Sequence, residues 1–81
     1  VVQIGESVKV FALFDPAFKL RPLKFLWKER PVTVREITYV WKSTKGDSVI
    51  WHFAVCTETG LYELSLDASS MLWRLEAVDA G

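Results

Sequence analysis

Apolar residues in this 81-residue chain recur at every second position, in short runs cut by turn-forming residues, and nowhere hold a helical spacing. That alternation predicts strands, because successive side chains of a strand point to opposite faces. "ESVKVFALF" (6–14) predicts a first strand, with Val8, Val10 and Ala12 on one face and Lys9, Phe11 and Leu13 on the other. "DPAF" (15–18) is a turn signal, since proline presets φ at the second turn position. The alternative over 15–21 is a single helical turn. "LKFLWK" (23–28) predicts a second strand, and "ERP" (29–31) a tight connection. "VTVREITYVWK" (32–42) predicts a long third strand whose alternation breaks once. A β-bulge near Arg35–Glu36 would bring Val32 and Val34 to the same side as Ile37, Tyr39 and Trp41.

The rest of the chain continues the pattern. "STKGDS" (43–48) reads as a hairpin loop with Gly46 at positive φ. Strands follow at 49–57, 61–66 and 71–78, with turns at "ETG" (58–60) and "DASS" (67–70) and a loose tail "DAG". In the last strand Met71, Trp73 and Leu75 are expected inward, with Arg74 and Glu76 outward. The predicted fold is all-β. It is a five- or six-stranded antiparallel meander over residues 1–81, one small domain, rolled into an SH3-like or partly open barrel.

A chain this short buries only about 60–65% of its surface on folding, so it needs a rich core. Hydrophobic residues make up 51% of the sequence, which supplies one and argues against disorder. The single cysteine, Cys56, forms no internal disulfide, which fits a reducing cytoplasm. The opening "VVQIGESVKVFALF" carries Glu6 and Lys9 inside its apolar run and does not read as a signal peptide. No stretch approaches the roughly 20 apolar residues of a membrane span.

The stretch 22–45 interleaves Phe25, Trp27, Tyr39 and Trp41 with Lys24, Lys28, Arg30, Arg35, Lys42 and Lys45. Rings beside cations suit a nucleic-acid surface. In a strand, however, neighbours in sequence separate in space. Leu23, Phe25 and Trp27 fall on one face; Lys24, Leu26 and Lys28 fall on the other. The rings are therefore expected mainly in the core, with Trp41, beside a loop, the one whose place is least determined. A basic face remains: Lys24, Lys28, Arg30, Arg35, Lys42 and Lys45, with Lys19 and Arg21 upstream. It could track a phosphate backbone, or guard a sheet edge against pairing. Residues 1–45 carry net +5 and residues 46–81 net −5. This asymmetry reads as strands pairing across the sheet or as an interaction surface.

Catalytic signals are weak. His52, the only histidine, shares a strand face with Cys56 four residues on, a separation of roughly 13 Å. That is too far for a nucleophile–base pair or for one zinc. The carboxylates are scattered, and a cross-strand salt bridge from Arg74 to Glu63 or Asp67 accounts for some of them. No phosphate loop, metal-ligand spacing or nucleophile elbow is present. The expectation is no enzyme, no cofactor and no metal. A deep polar pocket holding His52 or a carboxylate pair would revive the enzyme reading.

The run "WKERPVTVREITYVW" (27–41), with "TETGLYEL" (57–64), Asp67 and "LWRLEAV" (72–78), resembles a small bacterial all-β domain family of unknown function. The pattern is F-x-W-x-G-R, then V-x-E-V, then a tryptophan. Phe25, Trp27, Arg30, Val34, Glu36, Trp41, Tyr62, Leu64, Asp67, Trp73 and Leu75 match it, across residues 20–79. Glu29 stands where the family has glycine, and Pro31 and Val32 depart from it too. Domains of this kind stand alone or are appended to ImuB-type relatives of Y-family DNA polymerases, which implies a link to damage-tolerant DNA synthesis. No catalytic residue comes with the resemblance. The expected function is a non-catalytic interaction module docking on a protein partner. The alternative is a nucleic-acid-binding module using the basic face of residues 19–45. A homodimer through an edge strand is a further expectation, with the first and last strands as edges and "VKVFALF" as the self-pairing segment.

Overall fold

The computed structural model describes residues 1–16 and 19–79, and for Lys19 only the backbone. Among the described residues eight strands form: β1 (Val2–Ser7), β2 (Lys9–Asp15), β3 (Lys19–Trp27), β4 (Arg30–Thr33), β5 (Glu36–Lys45), β6 (Ser48–Thr57), β7 (Gly60–Asp67) and β8 (Leu72–Asp79). They make a five-stranded sheet, β1-β8-β7-β6-β5, and a three-stranded sheet, β2-β3-β4, both antiparallel. No described residue is helical.

Two corners join the sheets. At Val8 the chain leaves β1 for β2 while its amide donates to Trp73 O at 3.2 Å. At Val34–Arg35 it crosses back. The Val34 amide donates to Leu23 O of one sheet (2.9 Å) and the Arg35 amide to Cys56 O of the other (2.8 Å). Taking β1–β2 and β4–β5 each as one bent strand, the chain is a six-strand meander around a common core, the expected partly open barrel. The break in alternation at 32–42 is thus a corner between sheets. The bulge itself lies three residues on, at Thr38, where the pairing shifts between Ile37 and Tyr39.

The core is built from both sheets. Phe25 of β3 is fully buried (0% exposed) and meets Tyr62 of β7 edge to face at 5.3 Å, with Trp27 at 6.2 Å from the same ring. Phe53, Val55, Leu64, Leu66, Leu75 and Val78 complete the buried cluster. Edge-to-face rings suit the aromatic quadrupole, and they carry large buried areas in a chain that needs them.

Three local details differ from the sequence reading. Leu23 is the extra residue where Phe11 pairs with Lys24 and Ala12 with Pro22, so Pro22 takes the inward place and Leu23 is exposed. Tyr39 and Trp41 lie on the outer face of the five-stranded sheet, because the Thr38 bulge turns them away from Ile37. Met71 belongs to the turn before β8, at φ 61°, and is exposed. Asp15 ends β2 and residues 19–21 are strand, so the helical alternative for 15–21 does not hold there. The middle of the "DPAF" turn and the end of the tail lie outside the described residues.

Lys28 and Glu29 both have positive φ, 54° and 64°, in the two-residue connection between β3 and β4. That is the backbone of a type I′ hairpin turn, which favours glycine and asparagine. Glutamate at this position carries steric strain of order 1 kcal/mol. Glu29→Gly is therefore expected to stabilise the protein by about 0.5–1 kcal/mol in urea denaturation. Unchanged or lower stability would mean that Glu29 makes compensating contacts.

Candidate interaction surfaces

The sheets diverge at the end of the barrel away from the Val34–Arg35 corner and leave an apolar mouth. Its walls are Phe14 and Leu20 of the small sheet, and Val40, Trp51, Phe53 and Leu66 of the large one, with Ala68 and Met71 on the β7–β8 turn. The cavity measures about 430 Å³. Phe14 is 73% exposed although it stands on the inward face of β2. Met71 is 60% exposed, and Leu72 beside it is also exposed. Lys42 stands on the rim with its Nζ 5.5 Å from the Trp51 ring centre.

The turn that presents Met71 is held by Asp67. Its Oδ1 accepts from the Ser69 hydroxyl (2.8 Å), the Ser69 amide (2.9 Å) and the Ser70 amide (3.3 Å). The Ala68 amide donates to Val49 O, tying the turn to the start of β6, and the Met71 amide donates to Asp67 O within the turn. The Ser69 hydroxyl, then the Ser69 amide, hold the Asp67 carboxyl below its ordinary value near 3.8.

The outer face of the large sheet is polar. His52 Nδ1 lies 3.3 Å from Glu63 Oε2 and Nε2 lies 2.7 Å from Ser43 Oγ. A carboxylate only accepts, so in the neutral ring Nδ1 carries the proton and Nε2 accepts from the Ser43 hydroxyl. The indole of Trp41 stacks on the imidazole at 5.0 Å and 6°, and Tyr39 stacks on Trp41 at 5.4 Å. Beside this row lies a polar depression of about 580 Å³ that includes Ser43, His52, Ser65, Asp67, Arg74 and Glu76. Within it Ser65 donates to Glu76 (2.7 Å), and Arg74 lies 3.7 Å from Glu76 and donates to Gly5 O (2.6 Å). Arg74 thus pairs along its own strand, while Glu63 pairs with His52, instead of the cross-strand bridges expected for Arg74. The Ser43–His52–Glu63 order is that of a hydrolytic relay. Ser43, however, sits within the regular β5–β6 ladder opposite Ile50, not on the strained turn that projects a nucleophile. Among the described residues, no group of three His, Cys, Asp or Glu side chains could hold a metal ion, and no helix is long and apolar enough to cross a membrane.

The basic residues singled out in the sequence divide between the two sheets. Lys24 lies on the outer face of the small sheet, its Nζ 4.7 Å from the Phe11 ring centre. Lys28 covers Trp27 at 4.9 Å from the β3–β4 turn, and Arg30 opens β4. Arg35 is at the corner. Lys42 is at the mouth, Lys45 borders the polar depression, and Trp41 stacks on His52. Phe11 was legible as a surface ring, because it alternates with Val10 and Ala12. Phe14 and Met71 were not, since their exposure depends on where the sheets part. Comparison of the chain with protein-family models, curated proteins and solved structures gave no match.

Because folding lowers the Asp67 pKa, its contribution to stability is complete above about 3.8 and is lost as pH falls through the lower folded value. Asp67→Asn is expected to remove that acid-limb contribution and to speed amide exchange at Ser69 and Ser70, as seen by NMR. A variant whose acid unfolding curve and turn amides match the parent would contradict this role.

Proposed function

We propose that this protein is a non-catalytic interaction module that takes an apolar anchor of a protein partner into the mouth between its sheets. The supporting observation is the placement of Phe14, Met71, Val40 and Trp51 around one open apolar cavity. Exposed apolar surface of this kind is uncommon on monomers and marks binding sites. The partner's chemistry follows from the rim. Lys42 over Trp51 favours a segment whose bulky apolar side chain is flanked by acidic residues. The resemblance of residues 20–79 to domains appended to ImuB-type polymerase relatives supports a setting in DNA repair or replication, in the bacterial cytoplasm.

A second reading is favoured by one pairing. Phe11 and Lys24 lie side by side on the outer face of the small sheet, with Lys9 on the same face. A ring and cations on one exposed sheet face can stack a base and hold a phosphate.

Calorimetry separates the two readings. The probes are an acidic peptide with one Phe anchor, the same peptide with Ala at the anchor, and a single-stranded oligonucleotide. The docking reading predicts that the Phe peptide binds, that the Ala peptide does not, and that Met71→Asp weakens binding about tenfold or more. Oligonucleotide binding that falls steeply with salt and is lost in Lys24→Glu, without peptide binding, would select the second reading. The non-catalytic reading also predicts no fluorophosphonate labelling of Ser43. Labelling that disappears in His52→Ala would overturn it.

A further inference from the structure

β2 is an edge strand. It pairs with β3 on one side, and among the described residues no strand pairs with the other. Its seven residues, Lys9 to Asp15, carry charge only at the two ends. Phe11 and Leu13 are exposed on its outer face and Phe14 on its inner face. Edge strands are ordinarily blunted by a mid-strand charge, a proline or a bulge. The bulge in this hairpin falls at Leu23 of β3, which leaves β2 continuous.

The strand is self-complementary when read antiparallel to itself. We propose that β2 pairs with β2 of a second copy about a two-fold axis through Ala12. In that register Ala12 faces its own symmetry mate. Phe11 meets Leu13, Val10 meets Phe14, and Lys9 meets Asp15, each pair occurring twice. The axis runs perpendicular to the sheet, so outer residues meet outer ones and inner meet inner. The alanine at the centre lets the strands approach, and Val10 of each copy covers the exposed Phe14 of the other. Centring the axis on Phe11 or Leu13 instead leaves part of the strand unpaired and sets neither Lys9 nor Asp15 against its opposite charge. The rim pairs add little energy in water but select the register. The product is a continuous six-stranded sheet, β4-β3-β2-β2-β3-β4, with an isologous interface. Phe14 also walls the mouth, but the pairing is made by the open edge of β2 and needs no anchor in the mouth.

The test uses the whole chain with Cys56→Ser, so that introduced cysteines report alone. Directly opposed antiparallel residues have Cα atoms about 4.5–5.5 Å apart, inside the range a disulfide spans. Ala12→Cys should therefore cross-link under mild oxidation. Phe11→Cys should lag, because its own symmetry mate is a diagonal neighbour about 7–8 Å away. The protein without introduced cysteines should sediment with a mass rising with concentration from 9.3 kDa towards twice that value. Lys9→Asp and Asp15→Lys should each weaken association about tenfold, and the double swap should restore it. Met71→Asp should leave association unchanged, so failure here is separable from failure of the docking reading. A monomer at every concentration, with Ala12→Cys no faster than Phe11→Cys, would overturn the proposal. So would a dimer that the charge swap does not restore.

Discussion

Val34 and Arg35 are neighbours in the chain, yet their amides donate to different sheets, one to Leu23 O and the other to Cys56 O. The rest of the architecture depends on that divided pair of hydrogen bonds. Each sheet offers a carbonyl at the corner, so the chain changes sheets there without losing a backbone hydrogen bond. Val8 makes the matching transfer through Trp73 O. The two corners set the sheets face to face around Phe25, Tyr62 and Leu64. Away from the corners the sheets separate, and the mouth and the unpaired side of β2 are consequences of that separation.

The strand content was legible because period-two alternation survives in nearly every segment. Phe25, Tyr62, Leu64 and Leu75 could be placed in the core from parity alone. What could not be read was parity across an irregularity. One extra residue moves every following side chain to the other face. Leu23, Thr38 and Glu76 are such residues, where the pairing slips. None is a glycine or a proline that would announce it. Thr38 is held by its own hydroxyl, which donates to Ala54 O at 3.1 Å. Its effect is to send Tyr39 and Trp41 to the surface, where Trp41 covers His52. The Ser43–His52–Glu63 row was equally hidden, since it joins three strands and depends on register.

The charge asymmetry acquires a spatial meaning in the fold. Lys9, Lys24 and Arg30 lie on the small sheet, while Glu63, Asp67 and Glu76 lie on β7 and β8 of the large one. The His52–Glu63 hydrogen bond and the Arg74–Glu76 ion pair are formed within the acidic half of the chain. Lys24, Lys28 and Lys42 lie over rings, where their stems cover apolar surface and their heads stay in water. The rings interleaved with cations over 22–45 thus divide between two roles. Phe25 and Trp27 serve the core, and Trp41 serves the outer face. The cations are spread over two sheets, which favours several small contact surfaces over one continuous basic track.

The most direct measurement is residue-resolved amide hydrogen exchange by NMR on dilute protein. Two sheets hinged at shared corners predict that Val8, Val34 and Arg35 are protected to the level of β6–β8, while the amides on the open side of β2 exchange fast. Rapid exchange at Val34 and Arg35 would show that the corners do not hold the sheets together. Uniform protection along β2 in dilute monomer would show that the barrel closes and that the mouth and edge described above do not exist.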